Sequence, residues 1–128
     1  MVALLPAVPY IKRVKAIHSF FSMRLIEQQM NNAIRCNKNF QKDNTTVINI
    51  SDKSFVYLHG NHIATVGKDF LQIFDGGWQS NTTTSRLNAL CNEFTNGICN
   101  GVFQQNWDWY INTDNGVIDF FNGYEFAL

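Results

Sequence analysis

Residues 47–74, VINISDKSFVYLHGNHIATVGKDFLQIF, decide the fold class of this chain. Four short segments within it, residues 47–50, 55–58, 63–66 and 70–74, are rich in β-branched and aromatic side chains. Turn-forming residues separate these segments, which is the pattern of consecutive strands joined by tight turns. Gly60-Asn61 suits a two-residue hairpin turn, because glycine accepts a positive φ at the first central position. The stretch therefore predicts a four-stranded antiparallel meander.

Amphipathic helices are predicted on both sides of the meander. Between residues 23 and 40 the apolar side chains recur at steps of three and four, which places them on one helical stripe. This stripe comprises Met23, Ile26, Met30, Ala33 and Ile34. A second stripe comprises Leu87, Leu90, Cys91 and Phe94, and Asn81, Thr82 or Thr83 is predicted to cap that helix. We expect both stripes to pack on the sheet, and a partner-binding or membrane-surface role is the alternative for the first helix.

The last part of the chain predicts further strands. Residues 102–105, 107–111 and 117–121 have strand character, and Asn115-Gly116 suits the turn before the last of them. The predicted fold class is therefore α+β. Its order is an N-terminal amphipathic helix, an antiparallel β-meander, a second helix and a C-terminal β-hairpin.

Length and composition indicate one folded domain. The chain has 128 residues, of which 45% are hydrophobic, and this is enough for one buried core. We place the domain at residues 23–128 and treat residues 1–22 as an N-terminal extension. In that extension the basic cluster follows the apolar run, the reverse of a secretory signal, and the run is too short to span a membrane. Three cysteines without a C-x-x-C pair favour a reducing cytoplasm.

Charged residues are divided unevenly along the chain. Residues 1–68 contain nine lysines or arginines and three acidic residues, whereas residues 69–128 contain one arginine and seven acidic residues. One interpretation is a basic face that binds nucleic acid. Its members would be Lys12, Arg13, Lys15, Arg24, Arg35, Lys38 and Lys42. The other interpretation is that the two halves attract each other in the fold, and we favour it because the bases form no continuous run.

The strongest candidate for chemistry is the histidine pair in His59-Gly60-Asn61-His62. A histidine-bearing hairpin followed by a helix resembles the ββα-metal nucleases, in which a histidine activates water, but the metal-binding histidine expected late in the helix is missing. A zinc site that joins this pair to Cys91 and Cys99 has unsuitable spacing between the cysteines. We therefore predict no catalytic residues, no metal site and no cofactor.

A binding surface is predicted in place of a catalytic set. It groups the polar residues of the hairpin with two residues near the glycine turn, namely His59, Asn61, His62, Trp78 and Arg86. Trp107 and Trp109 share one face of a predicted strand. Exposed, they would form a stacking platform for bases, but we expect them to be buried because this half of the chain is acidic.

Three patterns in the sequence resemble a group of short tailed-phage proteins. They are VYLHGNHIA at residues 56–64, GGW at residues 76–78 and TTSRLNAL at residues 83–90, and the resemblance covers residues 23–128. It implies a small protein made in the cytoplasm of an infected bacterium. Our leading hypothesis is a non-enzymatic accessory protein that binds a host or phage protein. Nucleic-acid binding and a nuclease at His59 and His62 are the alternatives, and the sequence predicts no oligomeric state.

Overall fold

The computed structural model describes residues 23–128, and the predicted extension, residues 1–22, lies outside the described residues. Within the described part the chain forms two helices and nine strands. In chain order they are α1 (Leu25–Arg35), β1 (Phe40–Lys42), β2 (Thr45–Ile50), β3 (Lys53–Leu58), β4 (Asn61–Val66), β5 (Phe70–Ile73), α2 (Asn81–Phe94), β6 (Gly101–Gln105), β7 (Asp108–Thr113), β8 (Gly116–Asp119) and β9 (Tyr124–Ala127). The α+β class and the predicted order of elements are confirmed.

A six-stranded antiparallel sheet contains the predicted meander. Strands β2 to β5 are its four predicted members, and the strand order is β9-β5-β4-β3-β2-β1. The prediction lacked both edge strands. Strand β1 has only three residues, and β9 joins the sheet by pairing Tyr124 with Ile73 and Phe126 with Leu71, far from it in sequence. The sheet thus has two strands more than the local sequence pattern predicted.

The β3–β4 turn lies one residue earlier than predicted. Leu58 pairs with Asn61, so the two turn residues are His59 and Gly60, with φ values of 52° and 78°. A positive φ at both central positions is the condition for a type I′ turn, one of the two turn types that match the twist of the strands. A register shift at Val56/Tyr57 follows in β3–β4, so the pairing runs from Tyr57–His62 to Val56–Ala64. His62 pairs with Tyr57, and both face away from the helices, because the neighbouring Val56 and Leu58 are buried in the core.

Both helices pack on the other face of this sheet, called here the inner face. Helix α1 contacts β1, β2 and α2, and α2 contacts β4 and β5. A second sheet, in the order β6-β7-β8, packs on α2 through β6. One apolar core joins all these layers, and its largest fully buried side chains include Met30, Ile63, Leu71, Leu87 and Ile111. The two predicted helical stripes both supply this core.

The helix ends differ from the predictions. Helix α1 ends at Arg35, where Asn37 adopts a φ of 54° and the Lys38 N–H donates to the Ala33 carbonyl oxygen at 2.9 Å. This left-handed residue closes the helix before the predicted end near residue 40. Helix α2 is capped by Ser80, whose Oγ accepts from the Thr83 N–H at 3.1 Å, so none of the three predicted caps is correct. Neither helix in residues 23–128 is long and apolar enough to cross a membrane.

The second sheet corrects one predicted strand. Asn106 and Trp107, with φ values of 53° and 73°, form the turn between β6 and β7. The predicted strand at residues 107–111 therefore begins one residue later, at Asp108. The predicted C-terminal hairpin is present as β7–β8, with Thr113 opposite Gly116.

Candidate functional site

Three of the predicted binding residues converge on one cleft. His59, Asn61 and Trp78 line a cleft of about 470 Å³ on the side of the sheet that carries α2. Leu58 and Ile63 supply its apolar lining, and the remaining lining residues are Asp75, Gly76, Ser80 and Thr83. We call this set the hairpin cleft. It joins polar groups from a hairpin tip to an apolar surface and an indole.

The loop from residue 75 to residue 80 positions Trp78 at the rim of the hairpin cleft. The Asp75 Oδ1 accepts from the Gly77 N–H at 2.7 Å, and the Trp78 N–H donates to the Asp75 carbonyl oxygen at 3.3 Å. The Asp75 N–H donates to Asn122 Oδ1 at 2.8 Å, which ties the loop to the segment before β9. The loop is therefore held by hydrogen bonds while the Trp78 side chain is 74% exposed.

Gly76 keeps the hairpin cleft open at its wall. Its φ is 70°, a left-handed conformation that glycine adopts without strain. A Cβ atom at this position would lie 3.1 Å from Ile63 Cγ2 and 3.3 Å from Asn61 Cβ, both tighter than ordinary contact. Glycine at position 76 is therefore favoured both by the conformation of the turn and by the lack of space for a side chain.

His62 does not join this cleft. Its ring lies on the outer face of the sheet, with centroids 4.6 Å from Phe74, 5.7 Å from Tyr57 and 5.9 Å from Phe55. Its Nε2 is 2.8 Å from Thr65 Oγ1. Burial lowers the pKa of His62 below its usual value, because desolvation disfavours the charged ring.

The separation of the two histidines bears on the nuclease hypothesis. His59 lines the hairpin cleft on the inner side, whereas the ring of His62 lies among the aromatic side chains of the outer face. Among residues 23–128 no three His, Cys, Asp or Glu side chains come close enough together to hold a metal ion. The structure therefore does not bring these two histidines together on one catalytic surface.

Arg86, the fifth predicted binding residue, lies inside the protein and is only 3% exposed. Its Nη1 is 2.8 Å from Glu27 Oε2, on a carboxylate that is fully buried. Arg86 Nε donates to Thr45 Oγ1 at 3.0 Å, and Nη2 donates to Asn44 Oδ1 at 3.1 Å. A second donor, Ser85 Oγ, lies 2.6 Å from Glu27 Oε2. Arg86 thus joins α2 to α1 and to the start of β2, and the structure does not place it on the predicted surface.

The basic residues of the nucleic-acid hypothesis are dispersed. Lys38 and Lys42 line a shallow cleft of about 400 Å³ between the end of α1 and β1, together with the amide side chains of Gln29, Asn32 and Asn39. Arg35 forms an ion pair with Glu93 instead. Arg24 lies at the opposite end of α1, and Lys12, Arg13 and Lys15 fall outside the described residues. Of the seven predicted bases, the described structure brings two into one cleft.

The four side chains considered for a zinc site, His59, His62, Cys91 and Cys99, form no metal-binding group among residues 23–128. Cys91 is fully buried in the core on α2, and burial raises the pKa of its thiol to about 12. Cys99 is partly exposed in the loop that follows α2, and Cys36 is exposed at the end of α1. A buried thiol with this pKa stays protonated at neutral pH and is inert.

Sequence reasoning missed the exposure of Trp107. Its side chain is 89% exposed at the tip of the β6–β7 hairpin, whereas Trp109 is 5% exposed and packs edge-on against Phe120 at 5.2 Å. The two indoles were predicted to share a buried strand face, which is correct for Trp109 alone. The available signal was Asn106, because asparagine is common in two-residue turns and would have placed the next residue in the turn as well.

A second cleft, of about 340 Å³, is formed by the loop before α2, by β7 and by the end of β8. Gln79, the neighbour of Trp78, lines it together with Asp108, the neighbour of Trp107. The other lining residues are Trp109, Tyr110, Asp119 and Phe120. We call it the acidic cleft, because both of its charged side chains are aspartates.

Comparison with known proteins gives one match. The family model described as the Kyanoviridae Gp96 protein matches residues 23–127. No curated protein and no solved structure matches the chain.

Proposed function

The chain belongs to the Kyanoviridae Gp96 family of phage proteins, and from this premise we propose that it is a non-enzymatic accessory protein that binds a host or phage protein. Its place of action is the cytoplasm of the infected bacterium. Its binding site is the hairpin cleft, with His59 and Asn61 on one rim and Trp78 on the other.

The observation that supports this proposal is the exposure of Trp78 beside an apolar cleft. A tryptophan that is 74% exposed keeps a large apolar surface in water, and a partner that covers it removes that cost. Tryptophan is among the residues most enriched at interface positions that dominate affinity. Hydrogen bonds to Asp75 hold the backbone that carries Trp78, so little backbone entropy is lost when a partner binds.

Photocrosslinking in infected cells tests the proposal. We expect benzoylphenylalanine at position 78 to capture one protein that the same group at position 25 does not capture. Leu25 is the matched control, because it is an exposed apolar residue of α1, away from the hairpin cleft. In binding measurements with the purified captured protein, Trp78→Ala should weaken affinity about 30-fold, which corresponds to about 2 kcal/mol, whereas Leu25→Ala should not. Equal capture from positions 78 and 25 would contradict the proposal.

Nucleic-acid binding is the second candidate, and the cleft that contains Lys38 and Lys42 is the observation that favours it. Phosphate contacts by these two lysines would make affinity fall with rising salt. A gel-shift series with single- and double-stranded oligonucleotides should then show binding that Lys38→Gln/Lys42→Gln removes. No shifted band at low salt would exclude this candidate. No comparable observation favours the nuclease alternative, because His59 lines the hairpin cleft whereas the His62 ring lies on the outer face of the sheet.

A further inference from the structure

Trp107 occupies a backbone conformation that a bulky side chain rarely adopts. Its φ is 73°, in the left-handed region, at the second turn position of the β6–β7 hairpin. Glycine is the preferred residue there, because an L side chain in this region crowds its own backbone. A tryptophan that is both strained and 89% exposed gains nothing from burial in the described fold. Strain of this kind at an exposed position points to a role in binding.

The acidic cleft connects Trp107 to the surface around Trp78. Gln79 and Asp108 line that one cleft, and each is adjacent in sequence to one of the two exposed tryptophans. Gln79 Nε2 also donates to Asp75 Oδ2 at 3.3 Å, and Asp75 lines the hairpin cleft on the other side of the loop. The two clefts thus adjoin along the segment that carries Trp78.

The charge of this surface selects the chemistry of its partner. Asp75 lines the hairpin cleft, Asp108 and Asp119 line the acidic cleft, and no lysine or arginine is among the described residues that line either one. Arg86, the only basic residue of residues 69–128, is buried against Glu27 and does not offset these charges at the surface. The surface therefore attracts cations and repels phosphate backbones.

Aromatic side chains on the same face favour arginine over lysine. Tyr110 lines the acidic cleft and stacks on Phe103, with ring centroids 5.6 Å apart and an interplanar angle of 28°. Tyr110 pairs across the strands with Asp119, so a carboxylate and an aromatic ring stand side by side. A planar guanidinium stacks on such rings while it forms a forked pair with a carboxylate, which an ammonium does not.

We propose that the two exposed tryptophans flank one docking surface, and that its partner presents an arginine-rich segment. The surface comprises Gln79, Asp108, Tyr110 and Asp119 of the acidic cleft, together with Trp78 and Trp107, the exposed sequence neighbours of Gln79 and Asp108. The inference rests on the proposed protein-binding function and adds to it the chemistry of the partner and a second tryptophan contact.

Peptide titration followed by the indole N–H cross-peaks in NMR spectra tests this inference without knowledge of the partner. Hexaarginine at low salt should shift the cross-peaks of Trp78 and Trp107 more than that of Trp109, which lines the acidic cleft but is only 5% exposed. Hexalysine should bind more weakly, and hexaglutamate should not bind. Asp108→Asn/Asp119→Asn should weaken hexaarginine binding about fivefold relative to a double variant of equal net charge, Asp43→Asn/Asp52→Asn. Both control aspartates are exposed in turns of the large sheet.

Trp107→Gly separates binding from stability. Glycine removes the strain at φ 73°, so the variant should melt higher, by about 4 °C or more, and should bind hexaarginine more weakly. If Trp107 only stabilised the fold, Trp107→Gly would lower the melting temperature and leave hexaarginine binding unchanged.

Several outcomes would overturn the inference. They are unmoved Trp78 and Trp107 cross-peaks with hexaarginine, equal binding of hexalysine or hexaglutamate, and equal affinity of the two aspartate double variants. If decathymidylate shifted the same two cross-peaks, the partner of this surface would be a nucleic acid and not an arginine-rich segment. Selective crosslinking at position 78 to a protein without an arginine-rich segment would refute this inference while it supports the proposed function.

Discussion

Replacing Arg86 with methionine should lower the free energy of unfolding by about 4 kcal/mol. The substitution keeps a long side chain of similar length but removes every polar contact of the guanidinium. Glu27, which is fully buried, then loses its ion-pair partner at 2.8 Å. Among residues 23–128 it keeps two neutral donors, Ser85 Oγ at 2.6 Å and the Arg24 N–H at 3.1 Å.

The magnitude follows from the contacts that are lost. The hydrogen bonds of Arg86 to Thr45 Oγ1 and Asn44 Oδ1 contribute about 1 kcal/mol each, and the charge-assisted bond to Glu27 contributes about 2 kcal/mol. Their total agrees with the cost of roughly 3–5 kcal/mol for removing one member of a buried ion pair. Since domains are stable by about 5–15 kcal/mol, the variant should unfold at much lower urea concentration.

Urea denaturation followed by far-ultraviolet circular dichroism measures this loss. We expect a lower midpoint with an unchanged slope, because the surface exposed on unfolding stays nearly the same. The double variant Glu27→Met/Arg86→Met is the informative companion. It removes both charges and fills the space with apolar atoms, so it should recover most of the stability of the natural chain.

Two results would refute this reasoning. One is a loss smaller than about 1 kcal/mol for Arg86→Met, which is the range of an exposed ion pair. The other is a double variant less stable than the single one, because that would show that Glu27 does not need its charge compensated.

Three further predictions concern other parts of the fold. Alkylation by iodoacetamide in the native state should modify the exposed Cys36 and spare Cys91, whose pKa is about 12, and mass spectrometry of digests distinguishes the two. Burial lowers the pKa of His62, so the unfolded state binds its proton more readily; the free energy of unfolding should fall as pH drops through 6.5 towards 5, and His62→Gln should flatten this dependence in urea titrations. Asn88→Ala removes the bonds to the Val102 carbonyl oxygen at 3.0 Å and from the Val102 N–H at 2.7 Å, and should cost about 2 kcal/mol with faster amide hydrogen exchange in the second sheet than in the first.

Local sequence patterns account for most of the fold. The stripe that contains Met30 and Ile34 and the strands of the meander were predictable, because each depends on periodicity within a few neighbouring residues. The turn predicted at Asn115-Gly116 lies one residue earlier, at Asp114-Asn115, because Gly116 pairs with Thr113. Boundaries were less accurate. The β3–β4 turn lies one residue earlier than predicted, because Leu58 pairs with Asn61 and His59 adopts a positive φ that the prediction did not expect of it.

The composition of the candidate site was predictable only in part. One cleft is lined by three of the residues that were expected to lie together, His59, Asn61 and Trp78. Their grouping was predictable because the hairpin tip and the glycine turn are close in sequence. His62 left the set because the turn lies one residue earlier than predicted, so that His62 pairs with Tyr57 on the outer face instead of with His59. No pattern in one strand reveals such a shift, since it becomes visible only when the partner strand is in place.

The sequence by itself determined the α+β class, the two helical stripes, the meander and the resemblance to phage proteins. Only the tertiary structure decided that β9 forms one edge of the large sheet, that Trp107 is exposed while Trp109 is buried, and that Arg86 is a core residue. Arg86 and its partner Glu27 lie 59 residues apart in sequence. Periodicity shows which side chains share an apolar face within one segment of the chain. A buried ion pair forms because two distant segments exclude water from each other, and this requires the whole core.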